Sequence, residues 1–405
     1  MKRIIILGII VLGYVNVEAQ ELDYFILQAE LNNPEIQAFE IQYKVASEKL
    51  NEVNAVSDTE FRFGYFVSEP ETRTGAQIFR VTVRQMIPWF GTISARQNYT
   101  TSLAAYEYLD FIIAKRKLGL SVSQSYYRLN SLRAKQEVLQ ENIILLKTYE
   151  RLALTSLEVG SATAVDVLRL QIRQNEVEQL YQILEEEYLA ERSLLNNLLN
   201  RDVNTALVVQ DEMVIPDEAR QQSDSALALN PELIKFDKVY ESVIQSELLN
   251  KKEAGPKIGF GLDFIAVEER PDMVFSDNGK DIFMPMISLS VPIFNKGYNS
   301  KTIQNELKLE EIRAQKDQRL NILETMLAQA QGYRNSARIE FVTQSKNLRQ
   351  AEEAQKILMK SYETGTIDFN DVLDIQELQL KFQTNLINST ELYYVQSAII
   401  NYLTS

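Results

Sequence analysis

Residues 159–168, VGSATAVDVL, return 205 positions later at residues 364–373 as TGTIDFNDVL. Each copy places a glycine, Gly160 or Gly365, ahead of an Asp-Val-Leu motif. Glycine ends a helix in a conformation that few other residues adopt cheaply, and a capping side chain with an acid three residues later begins the next helix. The repeated stretch therefore predicts two helical hairpins in the chain, each with the same kind of turn.

Two further motifs recur in the same order. NPEI at residues 33–36 returns as NPEL at 230–233, and IPWF at 87–90 has an echo in VPIF at 291–294. Three matches in register predict an internal duplication, with repeats at 20–223 and 224–405. Each repeat is expected to hold a short helix, a strand hairpin at 59–87 or 257–294, and a long helical hairpin at 91–200 or 297–403, with a linker after the first.

The long helices follow from the absence of proline and from heptad spacing. No proline lies between Trp89 and Ile215, or after Pro292. Apolar residues recur every seven positions, as in coiled coils, at Leu132, Leu139, Leu146 and Ala153, and at Leu170, Val177 and Leu184. Helices are expected at about 91–159 and 297–364, each followed by a returning helix. A helix of about 65 residues reaches ~95–100 Å, so it needs neighbouring helices to bury its apolar stripe.

Four short stretches alternate between apolar and polar residues, the pattern of strands with one apolar face. The apolar residues lie at 61–67, 79–83, 258–264 and 287–293. A soluble sandwich would need a second layer to cover this face. Bacterial membrane barrels need an even count of eight or more strands, so four strands per chain fit a barrel of three chains. Trimeric assembly in lipid is the favoured interpretation.

The N-terminus and the composition limit the classes of function. Lys2 and Arg3, an apolar run to Val15 and a small residue at Ala19 predict a signal peptide at 1–19. The chain has no cysteine and no histidine, which removes the usual zinc ligands and Ser-His-Asp or Cys-His catalysis. A net charge of −14 argues against nucleic acid as a partner. No catalytic residue, metal site or cofactor is predicted.

This layout resembles the TolC-type outer-membrane factors over essentially the whole chain after the signal peptide. The resemblance implies a mainly α fold with a transmembrane β-barrel part: long helical hairpins form a trimeric α-barrel in the periplasm, and four strands per chain contribute to a 12-stranded barrel in the outer membrane. It also implies a passive efflux duct that works with a periplasmic adaptor and an inner-membrane pump. QMIPWFG at residues 85–91 most resembles the branch associated with heavy-metal efflux pumps.

The resemblance also assigns site residues at the hairpin turns. It implies a periplasmic gate, whose candidates are Asp371, Asp374, Tyr362, Asp166 and Arg169. It further implies adaptor-docking tips, for which the candidates are Val159, Gly160, Ser161, Thr364, Gly365 and Thr366. Some members carry a gate arginine where this chain has Ile367, and Arg169, at the repeat position of Asp374, is a candidate replacement.

Other interpretations stay open at this point. Asp166 and Asp371 can serve only as helix caps, and the surface acids can be merely solvated. The protein can be a soluble periplasmic coiled-coil scaffold instead of a channel. An enzyme using carboxylates such as Asp263 and Glu268 is the least favoured alternative, because no motif marks a cleft for them.

Overall fold

The structure, a computed structural model, describes residues 17–158, 160, 163–207, 213–216, 224–272, 274, 276–364, 366–367 and 369–404. The α-helices are α1 (Val17–Asn32), α2 (Pro34–Val53), α3 (Thr92–Glu158), α4 (Ala164–Leu198), α5 (Pro231–Glu253), α6 (Gly297–Glu363) and α7 (Phe369–Thr404). The strands are β1 (Glu60–Tyr65), β2 (Glu71–Thr72), β3 (Gly75–Ile87), β4 (Lys257–Glu268) and β5 (Ile282–Ser290). A short 3-10 helix, Asp224–Leu229, precedes α5.

The two long helices match the prediction closely. α3 and α6 each contain 67 residues, and their ends lie within one residue of the expected ends. The heptad residues of α3 from Leu132 to Ala153 are buried, as are Leu170 and Val177 of α4. None of the helices in the part of the chain that the structure describes is long and apolar enough to cross a membrane.

The Asn-Pro-Glu motifs fasten one helix start to another helix end. The Asn33 side chain accepts a hydrogen bond from the Glu35 amide at 2.9 Å and donates to the Leu198 carbonyl at the end of α4, 3.1 Å away. In the second half, Asn230 donates to the Leu403 carbonyl at 3.1 Å. The motif therefore satisfies orphan groups at two helix ends, which explains why it recurs.

Helix α1 is a difference from the expected layout. It begins at Val17, so the backbone is helical at the predicted cleavage position after Ala19; residues 1–16 of the predicted signal peptide lie outside the described residues. Phe25 and Ala29 of α1 are buried, and the Phe25 ring lies 6.0 Å from that of Tyr126. The sequence of α1 directly follows the apolar run of the predicted signal peptide and has no separate signal for a helix start, so the sequence analysis did not predict this helix.

The sheet is antiparallel in the order β1-β3-β4-β5, and the short β2 also pairs with β3. The two hairpins join through β3 and β4, where Val81 pairs with Phe264 and Thr82 with Asp263. β5 begins and ends earlier than the predicted 287–293. It includes Pro285, which has no amide to donate and lies opposite Leu262 of β4.

One face of the sheet is apolar and exposed, as the alternation predicts. Its exposed members include Phe61, Phe63, Tyr65, Phe260, Leu262, Phe283, Ile287 and Leu289. The rings of Phe79, Phe264 and Phe283 form a row across three strands, with centroids 6.0 and 5.0 Å apart. On the opposite face, Asp263 is fully buried and pairs with Arg80.

The chain divides into two compact units, and each contains segments of both predicted repeats. One unit comprises residues 39–111 and 232–319, with the whole sheet. Its helical segments are tied by Arg96 to Glu253 at 2.9 Å and by Lys235 to Asp110 at 2.6 Å. The other unit comprises residues 1–38, 112–231 and 320–405, and the described part of it holds both hairpin tips.

Candidate functional site

The first hairpin tip is built by a glycine turn and a capping box. Gly160 has a φ of 78°, a left-handed conformation that glycine adopts without strain. Thr163 caps α4: its hydroxyl accepts from the Asp166 amide at 3.3 Å, and the Asp166 carboxylate accepts from the Thr163 amide at 2.9 Å. The predicted cap is confirmed, and Asp166 is buried. The docking candidates Val159 and Ser161 lie outside the described residues.

Threonine hydroxyls close the second tip at the end of α6. Thr364 and Thr366 both donate their hydroxyls to the Ser361 carbonyl, at 2.9 and 2.8 Å, and the Thr366 amide donates to the same oxygen at 3.0 Å. Both threonines are exposed, as docking candidates must be. Gly365 lies outside the described residues, as does Asp368, which the repeated pattern predicts as the capping side chain three residues before Asp371.

An aromatic cluster fills the space behind the second tip. Phe369, the first residue of α7, is fully buried; its ring lies 5.7 Å from the Tyr149 ring of α3 and 4.9 Å from the Tyr362 ring of α6. The Tyr362 hydroxyl is buried and has no hydrogen-bond partner among the described residues. Ile367, for which the resemblance had suggested a gate arginine in some family members, packs against the same cluster here.

Polar contacts between the helices repeat at the offset of the duplication. Gln174 of α4 donates to Glu150 of α3 at 2.9 Å, and 205 positions later Gln379 of α7 donates to Gln355 of α6 at 3.0 Å. Gln355 also donates to the Tyr149 hydroxyl at 2.7 Å. The two hairpins therefore share one internal arrangement, with a charged acceptor in the first and a neutral acceptor in the second.

The charge of Glu150 is stabilised by its neighbours. Gln171 donates to one carboxylate oxygen at 2.8 Å and Gln174 to the other at 2.9 Å. These hydrogen bonds, from Gln171 first and then Gln174, lower the pKa of Glu150 below its ordinary value, with Lys147 adding to the effect. Beside it, burial raises the pKa of Tyr149. The first hairpin is thus fastened by an ionised acid at neutral pH.

Asp371 and Asp374 lie on the first two turns of α7, three residues apart and both exposed. Asp371 occupies the repeat position of the buried Asp166, and Asp374 that of Arg169. Asp374 and Arg169 both line an open groove of about 550 Å³ between α4 and α7. Arg169 donates across this groove to the amide oxygen of Asn370, so its cross-helix hydrogen bond is to a neutral side chain.

The groove contains functional candidates that the sequence analysis did not single out. We call it the tip groove, and its charged and amide side chains are Arg169, Arg173 and Glu176 from α4 and Asn370, Asp374 and Glu377 from α7. They share the spacing i, i+4 and i+7 on both helices, which places each set on one face. That spacing is the signal in the sequence that could have found Arg173 and Glu377.

No group of three or more acidic side chains in the described residues is arranged to hold a metal ion. The sequence has no histidine or cysteine that could add a ligand.

No protein-family model matches the sequence, and no curated protein matches it. Solved structures match it in fold. VceC, an outer membrane protein of Vibrio cholerae, is 16% identical with a TM-score of 0.76, over 95% of this chain and 96% of its own. CusC, described for its folding and transmembrane channel formation, is 13% identical with a TM-score of 0.78, over 95% and 92%. The open state of the MtrE outer membrane channel of Neisseria gonorrhoeae is 12% identical with a TM-score of 0.75, over 95% and 88%.

At these identities the likeness is one of fold, and the chain has the fold of outer-membrane channel proteins. The fold class expected from the TolC resemblance, long helical hairpins with a small antiparallel sheet in a duplicated chain, is therefore confirmed.

Proposed function

We propose that this protein is one subunit of a homotrimeric outer-membrane channel, the passive exit duct of a tripartite efflux system. The observation that carries the proposal is the fold, which matches the outer membrane protein VceC and the outer membrane channel MtrE over 95% of the chain. Channel proteins of the same fold support a duct rather than an enzyme. The duct would lie in the outer membrane and extend into the periplasm.

The sheet supports assembly in lipid. Its exposed apolar face needs a cover, and β1 and β5 each have one edge without a strand partner among the described residues. Unpaired edges are costly in a membrane, and pairing β1 of one copy with β5 of the next would satisfy both. With β1, β3, β4 and β5 from each chain, three copies give twelve strands, an even number that can close.

The hairpin tips are the proposed partner and gate regions. Exposed Thr364 and Thr366 support docking of a periplasmic adaptor, which would connect the duct to an inner-membrane pump. Asp371 and Asp374 support a ring of carboxylates at the periplasmic mouth, because both are exposed and lie on one face of α7. Tyr362 would act from within the aromatic cluster, and the buried cap Asp166 would hold the first tip in shape.

A matched pair of substitutions on β5 tests the membrane assignment. Ile287 is 78% exposed on the apolar face, whereas Ser290 is exposed on the polar face. A lysine facing lipid costs about 2–4 kcal/mol near the bilayer centre, and one facing a lumen costs little. I287K should therefore lower the amount of trimer recovered from outer membranes, whereas S290K should leave it unchanged.

The readouts are the mass of the particle in mild detergent and the ion current in a planar bilayer. A trimer that needs detergent for extraction and conducts ions supports the channel. A soluble protein released from the periplasm without detergent, with equal yields of I287K and S290K, would instead favour the coiled-coil scaffold.

A further inference from the structure

The tip groove carries opposite charges on its two walls. The α4 wall contributes the cations Arg169 and Arg173 together with Glu176, and the α7 wall contributes Asp374 and Glu377. Arg169 and Asp374 occupy the same position in the two repeats, so equivalent positions of α4 and α7 carry opposite charges. Two helices of matched geometry therefore present fixed charges of opposite sign to one space.

Both arginines are held in place by neighbours. Arg169 donates to the amide oxygen of Asn370 on the opposite wall. The Arg173 side chain is only 20% exposed and pairs with Glu176 at 3.0 Å. Its Nε is buried and has no hydrogen-bond partner among the described residues. A guanidinium is charged at every working pH, so these two positive charges are permanent features of the groove.

We infer that Arg169 and Arg173 determine ion selectivity at the periplasmic mouth, where they offset the carboxylates and let anionic solutes pass. The inference rests on the proposed function, since it places Asp374, and with it the tip groove, at the mouth of a channel. The mouth would then carry a ring of both positive and negative side chains. Solutes bearing carboxylate or phosphate groups would meet a guanidinium partner beside each set of carboxylates.

The size of the effect follows from Coulomb's law. A unit charge about 10 Å from a passing ion changes the local concentration of that ion about twofold in water, and salt reduces this further. Replacing both arginines by glutamine removes two charges per chain, hence six from a trimer. We expect the permeability ratio of K⁺ to Cl⁻ to rise at least about threefold.

The experiment measures reversal potentials in a KCl gradient across a planar bilayer. The channels compared are wild type, R169Q/R173Q, the charge-preserving R169K/R173K and the control R151Q. Arg151 is exposed on α3, next in sequence to Glu150, and does not line the tip groove. Its hydrogen-bond partner is Thr148 on the same helix. R151Q therefore removes one positive charge per chain from the same hairpin, against two in R169Q/R173Q, without altering the tip groove.

The expected result is a raised K⁺ preference in R169Q/R173Q only, with block by a trivalent cation from the periplasmic side becoming tighter. The lysine variant should match wild type if charge is what matters. An unchanged ratio in R169Q/R173Q, in channels where D374N lowers the K⁺ preference, would overturn the inference and leave the channel intact. A wild-type protein that forms no conducting channel would overturn the proposed function, and the inference with it.

Discussion

Replacing Phe369 by alanine should open the second hairpin tip locally. Phe369 is 1% exposed and lies between the rings of Tyr149 and Tyr362. Loss of a buried phenylalanine costs about 3–5 kcal/mol. Because Phe369 begins a helix, where the chain can partly collapse into the cavity, we expect about 3 kcal/mol. Since each 1.4 kcal/mol is a factor of ten, the opening equilibrium should rise about 100-fold.

Hydrogen–deuterium exchange of the detergent-solubilised protein measures this change through the amides of residues 355–385. F369L keeps most of the apolar volume and should cost about 1.5 kcal/mol or less. The matched control is L378A on the same helix, because Leu378 is 42% exposed and surface substitutions change stability by about 0.5 kcal/mol at most. Equal exchange in F369A and L378A would refute the reasoning that the aromatic cluster holds the tip.

Three further predictions concern charged groups. E150Q should reduce the free energy of unfolding at pH 7 by about 1 kcal/mol. Because the folded-state pKa of Glu150 is lowered, this difference is present above the ordinary pKa of 4.5 and is lost as the pH falls through the lowered value. Thermal unfolding of both proteins at a series of pH values from 7 downward would detect the loss. Asn at both Asp371 and Asp374 should weaken trivalent-cation block of the channel strongly, and block as tight as in wild type would leave these acids outside the mouth. D263A should destabilise the solubilised protein by about 1–3 kcal/mol. This is below the cost of breaking a fully buried pair, because Arg80 is 42% exposed and water can solvate it. Denaturant unfolding measures the loss, with R62A, which changes an exposed arginine on β1, as the control.

The sequence predicts those elements whose signals are local. The proline-free stretches and the glycine turns that follow them predict the bounds of α3 and α6 to within one residue, and the capping pair Thr163 and Asp166 marks the start of α4. Period-two alternation identifies the apolar face of the sheet correctly. These features depend on neighbours within one or two turns or on strict periodicity, so they can be read without the fold.

The missing features depend on distant neighbours or on conflicting signals. The fourth strand was expected at 287–293, where the alternation is clearest, but β5 spans Ile282–Ser290, because its ends are set by pairing with β4, from Ile265–Ile282 to Lys257–Ser290. The burial of Phe369 between two tyrosines requires three helices to be placed at once. The bonds from Gln174 to Glu150 and from Gln379 to Gln355 could have been suspected, because the residues match at the repeat offset.

The open edges of β1 and β5 have a consequence for how the protein is made. In a newly folded copy, β1 and β5 each have one edge without a strand partner among the described residues, beside an apolar sheet face, and such edges template aggregation. Refolding yield should therefore fall as protein concentration rises in plain buffer and recover when micelles are present from the first second of dilution. Under the proposed assembly, a chain in the cell is most prone to aggregate between emergence of the sheet and its pairing with other copies, and a chaperone that shields strand edges would protect it during that interval.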